Sequence, residues 1–193
     1  MEYIKPTRDK AYKLLTEYNQ SDALIKHALA VETVMIRFAE LLGEDDVDKW
    51  GIIGLIHDLD YEKFPEHHCK KVRSILEENK WPEEYIHAVV SHGWGICSDI
   101  EPTAKMEKVL YTIDELTGLI NATCLMRPGK SILDLSIGSV KKKFKQKNFA
   151  AGVDRSIIEK GAKMLGYELD FVIDETIKAM TQVAEDIGLK GTL

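Results

Sequence analysis

An all-α fold is what this chain predicts, on three observations. Apolar residues recur at spacings of three and four along most of its length. The interruptions carry helix caps, Gly or Pro. No alternating apolar–polar run is long enough to make a sheet. With 193 residues, 45% of them hydrophobic and 30% charged, the chain suits one soluble domain with a substantial core.

The elements follow in order. Ser21-Asp22 caps a helix whose stripe is Leu24, Ala28, Val31, Met35, Phe38 and Leu42, ending at Gly43. Asp46 or Asp48 starts the next, which runs through Gly51-Ile52-Ile53-Gly54-Leu55-Ile56 to His57-Asp58. Pro65 opens a third, with Val72, Ile75 and Leu76 inward and a stop near Asn79. Pro82 suits the first position of a fourth helix through His92. A fifth covers residues 103–125 until Arg127-Pro128-Gly129 breaks it. Three more follow: a lysine-rich one over 139–147, then 154–165 and 169–187. The expected organisation is a single domain over 1–193, with a helical core at about 21–126 and a C-terminal helical lobe at about 130–193.

Composition excludes several function classes. A net charge of −6 opposes general nucleic-acid binding, which needs the opposite balance. No apolar stretch is long enough to span a membrane, and Met1-Glu2-Tyr3-Ile4-Lys5-Pro6 does not read as a signal peptide, so a cytoplasmic protein is expected. Cys69, Cys97 and Cys124 have no C-x-x-C spacing and read as free thiols. There is no phosphate-binding G-x-x-x-x-G-K-[ST] loop and no G-x-S-x-G elbow. Trp50 and Trp81 read as packing residues, and Trp94 as packing or the mouth of a pocket.

His57-Asp58 is the pair that asks for chemistry. It closes a buried helix, where an unpartnered polar group costs about 2–7 kcal/mol. Helical spacing points His27 inward with Leu24 and Val31, His68 inward with Val72 and Ile75, and His92 inward with Ala88 and Val89. His67 and His87 fall on outward faces. Asp114 interrupts the apolar run Val109-Leu110-Tyr111-Thr112-Ile113. Singly, an inward histidine is usually a hydrogen-bonded core residue, and Asp114 can pair with a lysine or cap a helix. Six such groups converging in one small core are hard to satisfy without a cation, and imidazole with carboxylate is a good donor set for Zn, Mn or Fe.

The order His27 … His57-Asp58 … His68 … His92 … Asp114 resembles the HD-domain superfamily of metal-dependent phosphohydrolases. The stretches from His57 to Pro65, Asp114-Glu115-Leu116-Thr117-Gly118, Arg127-Pro128, Ser139 to Phe144 and Gly152-Val153-Asp154-Arg155 resemble an HDIG-like prokaryotic branch of it. That resemblance implies His27, His57, Asp58 and Asp114 as the basic metal set. It implies His68 and His92 as the addition that completes a second site, with Asp58 bridging. The cofactor would be one or two divalent ions per chain, from among Mn, Fe, Ni, Mg and Zn. The activity implied is hydrolysis of a phosphate monoester or diester of a small molecule, such as a nucleotide. A di-iron oxygenase and a non-catalytic metal- or nucleotide-binding sensor are the alternatives. Relatives commonly carry Glu or Lys three or four residues after the paired Asp; here Tyr61 and Glu62 stand there and Lys63 follows. Asp58, Glu62 and Lys63 are accordingly the catalytic candidates.

One charge run stands apart. Lys141, Lys142, Lys143, Lys145 and Lys147 crowd into an otherwise acidic chain, flanked by Arg127, Lys130 and Arg155. A solvated helix face is one reading. The other is a basic wall over the metal pocket, with Arg127, Lys141, Lys143, Lys145 and Arg155 as phosphate-binding candidates and Gly138 and Gly152 as hinges of a lid.

Overall fold

The computed structural model describes Tyr3 and residues 5–192. Met1, Glu2 and Ile4 of the segment read above for a leader lie outside the described residues. Among the described residues nine α-helices follow one another: α1 Arg8–Tyr18, α2 Asp22–Leu42, α3 Val47–Ile56, α4 Lys71–Glu78, α5 Glu83–Ser91, α6 Lys105–Leu125, α7 Ile137–Phe144, α8 Arg155–Leu165 and α9 Leu169–Gln182. There is no strand among the described residues, so the fold is all-α as expected. No described helix is long and apolar enough to cross a membrane.

The third of these helices, α3, is buried along most of its length and ends at the site. Seven of its ten residues, Trp50 through Ile56, are buried, because the segment is apolar on every side and has no face to give to water. It packs on α1, α2 and α5. Contact with α2 is close because Gly54 has no side chain: a Cβ there would stand 2.9 Å from Met35 Cγ and 3.0 Å from the Val31 carbonyl oxygen. That approach carries the end of α3, and so His57-Asp58, against the first turns of α2. The carboxyl-terminal helices close the other side. The eighth packs along α6, where Gly161 lies directly on Thr112, and α9 reaches back to α2. The apolar core is continuous from Ala11 in α1 to Leu189 beyond α9.

Several expectations are corrected. The first helix is absent from the sequence reading, because its buried stripe is only Ala11, Leu14 and Leu15 within an otherwise polar segment. The helix expected from Pro65 splits: Pro65–His67 forms a single 3-10 turn and α4 begins at Lys71. Between them His68 is extended (ψ 143°) and Cys69 takes φ +65°, so no continuous helix can pass. Pro82 is the N-cap of α5 and not its first residue. The last helix stops at Gln182, five residues short of the expected end. His87 is half-buried where it was read as facing solvent, since its Nδ1 lies 2.7 Å from Glu107 Oε1.

Glu107 ties α5 to α6. Its carboxylate accepts the backbone N–H groups of Thr103 (2.7 Å) and Ala104 (2.9 Å), which otherwise end α6 unpaired. Burial works against its charge, but these N–H groups and His87 overcome it and hold its pKa below the usual 4.5. A depressed carboxylate pKa stabilises the fold above the unfolded value, and the contribution disappears as pH falls through the folded value. Glu107→Ala is expected to lower stability by about 1–2 kcal/mol at neutral pH, the range for losing a helix cap. Urea titrations at pH 7 and below pH 4 check it: the gap between variant and parent should shrink in acid.

Candidate metal centre

The α3 helix ends at Ile56, and the chain then turns tightly, with Leu59 N–H donating to Ile56 O and Tyr61 N–H to Asp58 O. The turn leaves His57 fully buried and projects Asp58 into a cavity of about 380 Å³. The second helix supplies His27 from one side and α6 supplies Asp114 from another. The end of α5 supplies His92, and the extended link before α4 supplies His68. All six predicted donors therefore meet. His68 arrives by a route that its supposed helical stripe does not describe.

Two groups form around Asp58. Its Oδ2 lies 3.4 Å from His57 Nε2 and 3.8 Å from His27 Nε2. Asp114 Oδ1 closes this set, 2.9 Å from His27 Nε2 and 3.3 Å from His57 Nε2. The other oxygen of Asp58, Oδ1, faces His68 Nε2 at 3.4 Å and His92 Nε2 at 3.5 Å. Donor atoms of His27, His57, Asp58 and Asp114 all lie within 4.8 Å of one another, and so do those of His68, Cys69 and His92.

Whether these residues suit a cation is answered by their other hydrogen bonds. His57 Nδ1–H donates to Gly54 O at 2.8 Å, His92 Nδ1–H to Val89 O, and His68 Nδ1–H to Asp60 Oδ1 at 2.8 Å. Each bond fixes the proton on Nδ1 and leaves the Nε2 lone pair aimed at the carboxylates, as in histidines that bind metals. The His57 Nε2 atom is buried with no hydrogen-bond partner. Lone pair against carboxylate is repulsive unless a positive charge lies between them. Where no metal supplies it, a proton must: burial opposes charging His57, yet Asp58 and Asp114 raise its pKa well above 6.5. Burial likewise disfavours the Asp58 and Asp114 carboxylates, and the facing histidines nevertheless hold both below the usual carboxylate range. The His27, His57, Asp58 and Asp114 group fits a divalent ion, and the second oxygen of Asp58 faces a further histidine pair.

Three features of the site escaped the sequence reading. Asp60 is fully buried; its Oδ1 fixes His68 and its Oδ2 accepts Val72 N–H at 2.7 Å, so one carboxylate orients a donor and starts α4. The signal was a second acid in His-Asp-Leu-Asp at the close of an apolar run. Glu115 lines the cavity beside Asp114, where burial and the Asp114 charge push its pKa up to about 7 against the opposing Asp154 N–H. Cys97 also lines it. The hydrogen bond from Cys69, reinforced by His68 and His92, draws its thiol down to about 6 although burial opposes this. Both sulfurs rest on Gly93, where a Cβ would come within 2.4 Å of each. The three cysteines are free thiols.

Other expected site residues stand elsewhere. Glu62 faces away from the cavity and accepts the backbone N–H groups of Gln20 and Ser21, at 2.8 and 2.9 Å, where α2 begins. Lys63 lies over the Tyr18 ring at 4.6 Å. The turn after Asp58 returns only Tyr61 to the cavity. Arg127 bonds Asp134 and the Ser131 carbonyl, Lys141 bonds Asp170, and Lys143 sits over the Phe149 ring. Lys145 is exposed, and none of these cations lines the cavity. Arg155 is spent on backbone carbonyls, those of Phe144, Gln146, Phe149, Ala150 and Val153. It pins the segment read as a lid. Trp94 does not reach the cavity either; Lys160 Nζ stands 3.3 Å over its ring.

Removing the carboxylate behind His68 tests the two-sided arrangement. Asp60→Asn preserves volume but offers His68 a poorer acceptor, and if His68 ligates an ion, affinity for that ion is expected to fall about 10–100-fold. Titration with Mn²⁺ followed by calorimetry reads this directly; unchanged binding would count against His68 as a ligand.

The model of one protein family, described as the HD domain, matches residues 24–135. No curated protein and no solved structure matches the chain significantly. The matched segment holds all six converging donors and more than half of the sequence, and this chain belongs to the HD-domain family.

Proposed function

We propose that the protein hydrolyses a phosphate monoester or diester of a small molecule at a centre of one or two divalent ions. The observation that carries this reading is the two-faced Asp58, whose oxygens address separate histidine pairs. His27, His57, Asp58 and Asp114 would hold one ion, and His68 and His92 beside Asp58 would hold a second. Divalent ions so placed polarise phosphoryl oxygens and lower the pKa of bound water towards neutrality. The chain's own residues do the rest. Gly54 O, Val89 O and Asp60 keep three imidazoles in the ligating tautomer. The apolar core beneath His57 excludes water from behind the site. Glu115 brings a carboxylate to the cavity wall, a place that Glu62 and Lys63 do not reach.

Four imidazoles and two carboxylates also suit iron, so the metal decides between this reading and a di-iron oxygenase. The first experiment is elemental analysis of protein purified without added metal, followed by assays under air and under argon. About one or two ions per chain and oxygen-independent phosphate release are expected. Oxygen consumption by an iron-loaded protein would favour the oxygenase. Thermal stabilisation by phosphorylated compounds without product would make the chain a sensor. Asp58→Ala is expected to lose both metal and turnover; a metal-free variant that turns over normally would end the proposal.

A further inference from the structure

Beside the metal donors the cavity has an apolar lining. Leu24 of α2, Tyr61, Ile96, Val153 just before α8, and Ile157 within α8 supply it. Ile96 and Tyr61 are among the most exposed large hydrophobic side chains of the molecule, at 62% and 46%, and both stand at this one cavity. Scattered exposed apolar residues are ordinary, whereas several lining one cavity beside a polar centre mark a ligand-binding wall. The wall is held in place from behind. Arg155 Nη1 donates to Val153 O at 2.7 Å, and Asp154 N–H donates to Glu115 Oε2 at 3.0 Å. Tyr61 is edge-on to His68, with ring centroids 5.1 Å apart.

Positive charge is missing from the same wall. Among the described residues no Lys or Arg lines the cavity, and the ionisable groups beside the six donors are Glu115, Tyr61 and Cys97. Nearby cations are committed: Arg155 to carbonyls, Lys160 to Trp94. A second or third phosphate projecting beyond the donors would meet apolar carbon and the Glu115 carboxylate. Phosphate chains ordinarily require Arg, Lys or clustered N–H groups at every step.

We propose that this cavity takes an ester with a single phosphate and an apolar organic group, the phosphate against the His/Asp centre and the organic group against Tyr61, Ile96 and Val153. The assignment rests on the hydrolase reading for the phosphate and on the wall alone for the organic group.

The test is calorimetric binding of non-hydrolysable phosphonates to the full chain loaded with Mn²⁺. Phenylphosphonate and octylphosphonate should bind at least about tenfold more tightly than methylphosphonate, since one buried methylene alone discriminates about tenfold or more. The β,γ-methylene analogue of a nucleoside triphosphate should bind no more tightly than methylphosphonate. Ile96→Lys, at an exposed position that leaves the core intact, should narrow the phenyl–methyl gap and strengthen binding of the triphosphate analogue. Equal binding of methyl and phenyl compounds, preference for the triphosphate analogue, or no binding of any phosphonate overturns the proposal. Turnover of phenyl phosphate is read separately. Its absence beside the expected binding order removes the hydrolase reading and leaves the apolar preference standing. Preferential cleavage of nucleoside triphosphates does the reverse.

Discussion

The Nε2 lone pair of His57, fixed by the Gly54 carbonyl and sealed among apolar side chains, is the constraint on which the rest of the site depends. A buried acceptor facing two carboxylates is unfavourable in any neutral arrangement, because burial removes the water that would otherwise separate like partial charges. Positive charge must enter, as a proton or as a metal ion. The surrounding residues leave little room for the first to be the working state: two further imidazoles, His68 and His92, are also locked with their lone pairs pointing at Asp58. Protonating all three at once would gather several charges within one small volume. Divalent charge on the two faces of Asp58 would satisfy them without that crowding.

Such a cluster weakens the fold that contains it, and the architecture reflects that. Polar groups meet where five segments of the chain converge, and each is backed by apolar packing: Met35 and Val31 behind Gly54, Leu110 and Ile113 beside Asp114, Ala88 and Val89 before His92. Burying one such aliphatic side chain contributes about 1.5–3 kcal/mol. The continuous core can therefore carry a few strained polar groups, including the positive φ of Cys69 next to His68. The position of the centre at the edge of the α2–α3 contact keeps one side open, where the cavity begins.

The basic run shows how composition misleads when geometry is absent. In sequence, lysines near Arg127 and Arg155 suggest a phosphate-binding wall. In three dimensions both arginines act as internal struts, one clamping the turn after α6 and the other gathering the carbonyls that precede α8. Unpaired carbonyls at irregular backbone need donors, and a guanidinium offers five in a fixed fork. Arg155 thus shapes the site without touching it, by placing Val153 on the cavity wall.

Local spacing determined the helices with strong apolar stripes and the inward direction of His27, His92 and Asp114. The placement of His27 and Asp114 inside α2 and α6, and of His57-Asp58 at the end of an apolar helix, follows from the 3.6-residue repeat alone. Tertiary structure decided what the repeat does not encode. Asp60 became the support of His68, Cys97 came to the cavity, and Glu62 and Lys63 turned away, because each depends on the path of an irregular link packed against distant residues; Glu115 reached the cavity from within α6 because the segment around Asp154 packs against it. The stripe of α1 was equally illegible: its three buried residues lie in an otherwise polar segment and have meaning only once α3 lies across them. Periodicity is a property of neighbours in the chain, whereas the direction of a side chain outside a helix is fixed by contacts remote in sequence.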